Sequence, residues 1–311
     1  MNTKIMKKIL SSIIVMIVCA LFIGCKKNPK EKIRVLLPQG TPLVAVGNLL
    51  DDEMFSFDIV NGQDPLIEAF TKGEYDLLIA PLNLGTKLNI AKKSEYKLKA
   101  IITTNNTYLV SKNEFKNIEE VNGKNVLGFG EGSTPSLALN SIMNYKNLTP
   151  KKVDFRSSAA DVTLEYTSKN TEYDFFLLAE PNISIISNKT KIEVYKISLS
   201  DLLKDEVDML IQACLFVNPN KNIDDKAINK IEENIKEMNN NPSDYAKSVE
   251  SKHNFFEGLT KEVLEKAIPN CNITFINAKD NKNIIESYYK LLDKFQPSVL
   301  QGKRPDENFI I

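Results

Sequence analysis

Apolar positions fall into distinct regimes along the chain. Near the start, Ile9 to Ile23 is a nearly unbroken apolar run interrupted only by Ser11 and Ser12, and it is preceded by Lys4, Lys7 and Lys8 with no acid. Further on, short apolar runs bounded by proline or glycine alternate with helix-like segments. The first of these runs is IRVLL (Ile33 to Leu37), followed by PQGTP and LVAVGNLL. A second copy of the pattern opens with NVLGFG (Asn125 to Gly130), followed by EGSTP and SLALNSIM. In each copy a threonine precedes a proline, Thr41-Pro42 and Thr134-Pro135, the N-cap and N1 signature of a helix start. Both copies then reach the tripeptide Glu-Tyr-Asp and an apolar run ending in proline, EYDLLIAP (Glu74 to Pro81) and EYDFFLLAEP (Glu172 to Pro181). Runs that are apolar on both faces read as buried parallel strands.

Between these landmarks each copy has room for one more strand and helix. The candidates are FDIV (Phe57 to Val60) with Pro65 to Thr71, and KVDF (Lys152 to Phe155) with Ala160 to Ser168. The pattern therefore predicts two similar βαβαβ units. Two further β-like segments, KLKAIITTNNTYLV (Lys97 to Val110) and MLIQACLFVNP (Met209 to Pro219), bracket the second unit and read as crossover strands between two lobes. The expected organisation is 1–24 signal segment, 25–32 tether, 33–105 with 215–311 as the first lobe, and 106–214 as the second. After Pro219 the spacing becomes helical. Ile228, Ile231, Ile235 and Met238 form one stripe, and Ile284, Tyr288, Leu291 and Phe295 another. Pro242 and Thr260 open two more helices, and CNITFIN (Cys271 to Asn277) supplies a short strand.

The N-terminal run is about 15 residues long, short of the roughly 20 needed to span a bilayer as a helix, and fits a cleavable secretion signal. It ends in LFIGC, where a small residue before Cys25 resembles the bacterial lipobox. On that reading Cys25 becomes a lipid-bearing mature N-terminus. The alternative is an uncleaved anchor with an incidental cysteine, and either puts the body outside the cell. Cleavage leaves 37 basic against 40 acidic groups. Charge is interspersed, without the basic stripe of a nucleic-acid protein. With one histidine, His253, and no CxxC or HExxH spacing, a multi-histidine metal site is excluded. Cys214 and Cys271 are read as two buried thiols, with a disulfide between them as the alternative.

Lipobox, duplicated α/β lobes, two crossover strands and a helical return together resemble the solute-binding lipoproteins of ABC importers, of the thiamine-precursor, nitrate and sulfonate group. The resemblance is carried by the QGTP turn, GEYDLLIAP, NIEEVNGKNVLGFGEGSTP, AEP and the closing QGKRPDENFII, and covers the whole mature chain. It implies a type II periplasmic-binding-protein fold, two α/β lobes around a ligand cleft. It further implies a lipid-anchored monomer on the extracytoplasmic face of the membrane that captures a small polar, anionic or heterocyclic solute and delivers it to a permease and its ATPase, with no cofactor. Family members usually carry more aromatic residues around the cleft, whereas this chain has no tryptophan. An enzyme of the same fold, or a sensor or adhesin lipoprotein, are the rival readings.

Ligands of open parallel sheets bind at the carboxyl ends of the strands, where helix N-termini present unpaired N–H groups. That rule selects Gln39, Gly40 and Thr41 in the first lobe and Gly132, Ser133 and Thr134 in the second. Both threonines can equally serve as helix caps alone. Leu82 and Asn83 follow the third strand of the first unit, and Glu180 ends that of the second, either as a reader of a cationic group or as a solvated loop charge. Thr103, Thr104 and Asn105 occupy the polar middle of the first crossover. Phe129, Tyr108 and Tyr166 are candidate aromatic walls, Phe129 also reading as core.

Overall fold

A computed structural model describes residues 31–250 and 258–311; the expected signal segment, Cys25 and His253 lie outside the described residues. Residues 33–311 form one unit. The first unit of the duplicated pattern folds as β1 (Ile33–Pro38), α1 (Thr41–Ala45), β2 (Phe55–Val60), α2 (Asp64–Lys72) and β3 (Leu77–Pro81), followed by α3 (Leu82–Ile90). β1 pairs in parallel with both β2 and β3. The second folds as β6 (Asn125–Phe129), α4 (Thr134–Tyr145), β7 (Lys152–Arg156), α5 (Ala159–Thr167) and β8 (Phe175–Ala179), then α6 (Asn182–Thr190). Here β6 pairs in parallel with β7 and β8, repeating the first arrangement.

The shared Glu-Tyr-Asp tripeptide has one structural job in both units. Asp76 Oδ2 accepts the backbone N–H of Arg34 at 2.8 Å, and Asp174 Oδ2 accepts that of Asn125 at 3.0 Å. The tyrosine before each reaches the strand on the far side of β1 or β6. Tyr75 donates to Asp58 at 2.8 Å, and Tyr173 to Asp154 at 2.5 Å. The tripeptide thus fixes the register of the three-strand core in each lobe by satisfying a backbone donor that the strand order leaves over.

The segment expected as one crossover strand is divided. β4 (Lys97–Thr104) belongs to the first sheet, and β5 (Thr107–Ser111) to the second. Asn105 makes the break in the left-handed region, φ +47°, which asparagine tolerates better than most residues. The second crossover is displaced from its expected place. β9 (Tyr195–Ser198) and α7 (Leu199–Leu202) finish the second lobe, and β10 (Ile211–Val217) lies wholly in the first sheet between β3 and β4. A boundary after Cys214 would fall inside that strand, so the passage between lobes is the segment before Ile211. The two connections are tied to each other: Asn105 N–H donates to Leu210 O at 3.1 Å, and Leu210 N–H to Asn105 Oδ1 at 2.8 Å.

The return contributes α8 (Asp225–Asn240), α9 (Pro242–Glu250), α10 (Lys261–Cys271), β11 (Ile273–Asn277), α11 (Lys282–Phe295) and α12 (Pro297–Leu300). The first sheet has the order β11-β4-β10-β3-β1-β2, and the second β7-β6-β8-β5-β9. Helices cover both faces, which is why β3 and β8 read as continuous apolar runs. The stripe Ile228, Ile231, Ile235 and Met238 is buried under the first sheet. Cys214 and Cys271 are free and buried, as the thiol reading expected. Among the described residues no helix is long and apolar enough to cross a membrane.

Candidate functional site

A cleft of about 640 Å³ opens between the carboxyl ends of the two sets of parallel strands. Gln39, Gly40 and Thr41 border it from the first lobe, Ser133, Thr134 and Glu180 from the second, and Thr103 from the connection between them. Gly40 turns the chain with φ +92°, and its carbonyl accepts Leu43 N–H and Val44 N–H at the start of α1. A side chain there would be strained, so glycine lets the backbone pass close to the cleft.

The threonines of the duplicated Thr-Pro pair are not helix caps. The N-cap residues are Gly40 and Ser133, one position earlier, and neither makes a side-chain capping bond. The freed hydroxyls reach across the cleft. Thr41 Oγ1 donates to Glu180 O at 2.6 Å and accepts Asn106 Nδ2 at 2.7 Å. Thr134 Oγ1 donates to Asn83 Oδ1 at 3.2 Å, and Asn83 Nδ2 donates to Gly132 O at 2.8 Å. Gln63 Nε2 adds a longer bond to Glu131 O at 3.4 Å. Each of these joins a residue of one lobe to a residue of the other.

This geometry sorts the residues expected at the site. Asn83 and Gly132 hold the lobes together and do not line the cleft. Leu82, fully buried, and Thr104, whose N–H donates to Asn272 O at 3.2 Å, stand behind the wall. Thr103 lines it, but its hydroxyl already accepts Ala213 N–H at 3.0 Å. Phe129 borders the cleft while also packing on the core of its lobe. Tyr166 is buried against Phe176, and Tyr108 lies beneath the Lys196 ammonium, 4.6 Å from the ring centre.

Glu180 is no solvated loop charge: 2% of it is exposed. Its carboxylate accepts Ser184 N–H at 3.1 Å, at the start of α6, and lies 3.7 Å from Lys196 Nζ. Burial raises its pKa above the ordinary carboxylate value, while Ser184 and Lys196 act in the opposite direction. The phenol of Tyr108 is pushed up to about 12, by burial first and by the Glu180 charge second.

Gln63, Asn106, Ser158 and Gln212 are among the lining residues not singled out from the sequence. Two had a readable signal. Ser158 and Asp161 spell a capping box, and the structure forms it. Gln212 is the lone amide inside an otherwise apolar strand. Its Nε2 donates to Thr107 Oγ1, and its Oε1 is buried without a partner. Ser133 Oγ is likewise buried and unpartnered. Among the described residues no cluster of His, Cys, Asp or Glu could hold a metal ion.

No family model matches the sequence, and no curated protein matches it. Solved structures do match. An ABC transporter structure from Parabacteroides distasonis aligns over 90% of this chain and 98% of its own, with a TM-score of 0.71 at 20% identity. The alkanesulfonate-binding protein SsuA from Xanthomonas axonopodis pv. citri bound to MOPS aligns over 88% and 95%, with a TM-score of 0.64 at 14% identity. The periplasmic aliphatic sulphonate binding protein SsuA from Escherichia coli aligns over 90% and 94%, with a TM-score of 0.63 at 14% identity. Two duplicated α/β lobes, tied at Asn105 and Leu210 around a cleft, and these alignments over nearly the whole described chain give this protein the type II periplasmic-binding-protein fold.

Proposed function

We propose that the protein is the extracytoplasmic solute-binding component of an ABC importer, which captures a small solute between its lobes and hands it to a membrane permease. The observation that carries this reading is the set of hydrogen bonds joining the lobes around the cleft. Thr41 to Glu180 O and Asn83 to Gly132 O are made by polar groups that water would satisfy when the lobes part. Such contacts add little to a static fold but favour one of two lobe arrangements, which is what a capture-and-release device needs.

On this reading Cys25 carries the lipid that holds the body at the membrane, residues 25–32 are its tether, and the body acts as a monomer. Two acyl chains suffice for stable anchoring. Gln39, Gly40, Thr41, Ser133, Thr134 and Glu180 shape the solute site, in which no covalent chemistry is called for. The general role draws support from the neighbouring structures described as ABC transporter and sulfonate-binding proteins.

The test is a thermal-shift screen of the purified protein against thiamine precursors, flavins, alkanesulfonates, nitrate and amino acids, followed by small-angle scattering with any hit. A ligand at 100 times its Kd stabilises by about 2.7 kcal/mol, a shift of several degrees for a protein of this size. A stabilising solute that also compacts the scattering profile supports capture by closure. A hit that binds without any change in scattering refutes closure. Metabolic labelling with palmitate, lost in Cys25→Ala, checks the anchor.

A further inference from the structure

The helix N-termini around the cleft are occupied by the protein's own groups. α2 begins with Asp64. At α5, Asp161 Oδ2 accepts Ser158 N–H at 3.2 Å and the Ser158 hydroxyl at 2.8 Å. At α6, Glu180 takes Ser184 N–H at 3.1 Å. α3 and α4 carry no acid in their first turns, but Asn83 and Thr134 at those ends are bonded to each other across the lobes. The positive ends of α2, α5 and α6 are therefore balanced by a fixed carboxylate, while at α1, α3 and α4, which carry no acid in their first turns, Thr41, Asn83 and Thr134 are engaged in lobe contact.

Charge is equally scarce on the walls. Among the described residues that line the cleft, only Glu180 and Lys189 are charged. Glu180 faces Lys196, and Lys189 is exposed. The rest mixes uncharged polar side chains with an apolar part, to which Leu43, Val60 and Leu66 contribute on one lobe and Ala160, Leu164 and Ile185 on the other. Leu164 leaves 67% of its surface exposed beside the cleft. Burying an oxyanion against such walls costs its hydration, and the one lining cation among the described residues, Lys189, is itself exposed to water. The two lining side chains with unpartnered buried polar atoms, Ser133 Oγ and Gln212 Oε1, ask for little. An amide oxygen only accepts, so a solute group that pairs with Gln212 Oε1 needs an N–H or O–H, which nitrate and ionised sulfonates lack.

We infer that the cleft takes an uncharged solute with a largely aliphatic body and one hydrogen-bonding end carrying an N–H or O–H donor, rather than an oxyanion. This inference rests on the solute-binding reading above. Discrimination against anions comes from Asp161 and Glu180, and affinity from the apolar part of the walls.

The test uses two fluorescent probes that share one ring system and differ by a sulfonate: uncharged N-phenyl-1-naphthylamine and 1-anilinonaphthalene-8-sulfonate. The purified protein is expected to take up the uncharged probe with enhanced emission, at least tenfold more tightly than the sulfonated one. Leu164→Glu, at an exposed position that folding does not need, should weaken the uncharged probe severalfold. Asp161→Asn keeps the cap geometry but removes its charge, and should tighten the sulfonated probe severalfold while leaving the uncharged one unchanged. Equal or tighter binding of the sulfonate by the unmodified protein overturns the inference yet leaves the solute-binding reading intact. So does uptake of the uncharged probe that ignores Leu164→Glu, or a sulfonate affinity that ignores Asp161→Asn. Silence of both probes, with an anionic hit in the thermal-shift panel, overturns the inference alone; silence of both probes and of the whole panel overturns the solute-binding reading with it.

Discussion

Asn83 offers the sharpest test of how the lobes are held. It makes two bonds to the opposite lobe, to Gly132 O at 2.8 Å and from Thr134 Oγ1 at 3.2 Å, and it does not line the cleft. Replacing it with alanine removes both. A typical intramolecular hydrogen bond contributes about 0.5–1.5 kcal/mol net, so the pair favours closure by about 1–3 kcal/mol. At 1.4 kcal/mol per factor of ten, the closed arrangement loses roughly 5- to 150-fold in population relative to the open one. A solute that binds the closed form loses affinity by up to the same factor without losing a contact. Two measurements read this together: small-angle scattering of the ligand-free protein, which should show a larger radius of gyration in Asn83→Ala, and titration with a cleft ligand. Thermal unfolding serves as the control, because residues left in water after opening need no partner. Unchanged scattering together with unchanged affinity would refute the latch. A large fall in melting temperature with unaltered scattering would mean that Asn83 supports the fold and not the closure.

Asp76→Ala and Asp174→Ala, at equivalent positions of the two lobes, should each destabilise the protein by about 0.5–1.5 kcal/mol, since each loses the acceptor of a backbone N–H; urea unfolding that spares either one breaks the claimed equivalence. Glu180 has a folded-state pKa raised by burial above the ordinary 4.5, so the folded protein binds the proton more tightly than the unfolded chain, and this group's contribution falls as pH rises from 4.5 through the folded value. Glu180→Gln should flatten that part of the stability profile, and unfolding midpoints across pH 4.5 to 7 with the same slope in both proteins would contradict it. A methyl group at Gly85 would meet the Phe216 ring at 2.5 Å, so Gly85→Ala should cost about 1–3 kcal/mol in urea unfolding despite alanine's better helix propensity.

Much of the fold was legible in one dimension because the chain says it twice. Local chemistry announced the strands: a run such as LLIAP or FFLLA, apolar on both faces, has few stable settings other than the middle of a covered parallel sheet. The helical stripes of α8 and α11 were equally plain from their spacing, and the acids of Asp76 and Asp174 marked matching points in both units. What the sequence could not determine was pairing across distance. Gln212 sits in a strand that leaves one lobe and joins the other sheet, so its place on the cleft depends on β10 lying between β3 and β4. The Thr-Pro pairs looked like caps because capping is the commonest local use of a threonine there. Their hydroxyls bond the other lobe instead, a partner 139 residues away for Thr41. The same division holds for charge. Helix starts pointed toward an anionic or polar group, since each N-terminus is positive when considered alone. Asp161 and Glu180 reach their helix ends locally, but only the tertiary structure sets Lys196 beside Glu180 and leaves Glu180 and Lys189 as the charged residues among those lining the cleft, because electrostatic balance is decided by which groups meet in space and not by how many the chain contains.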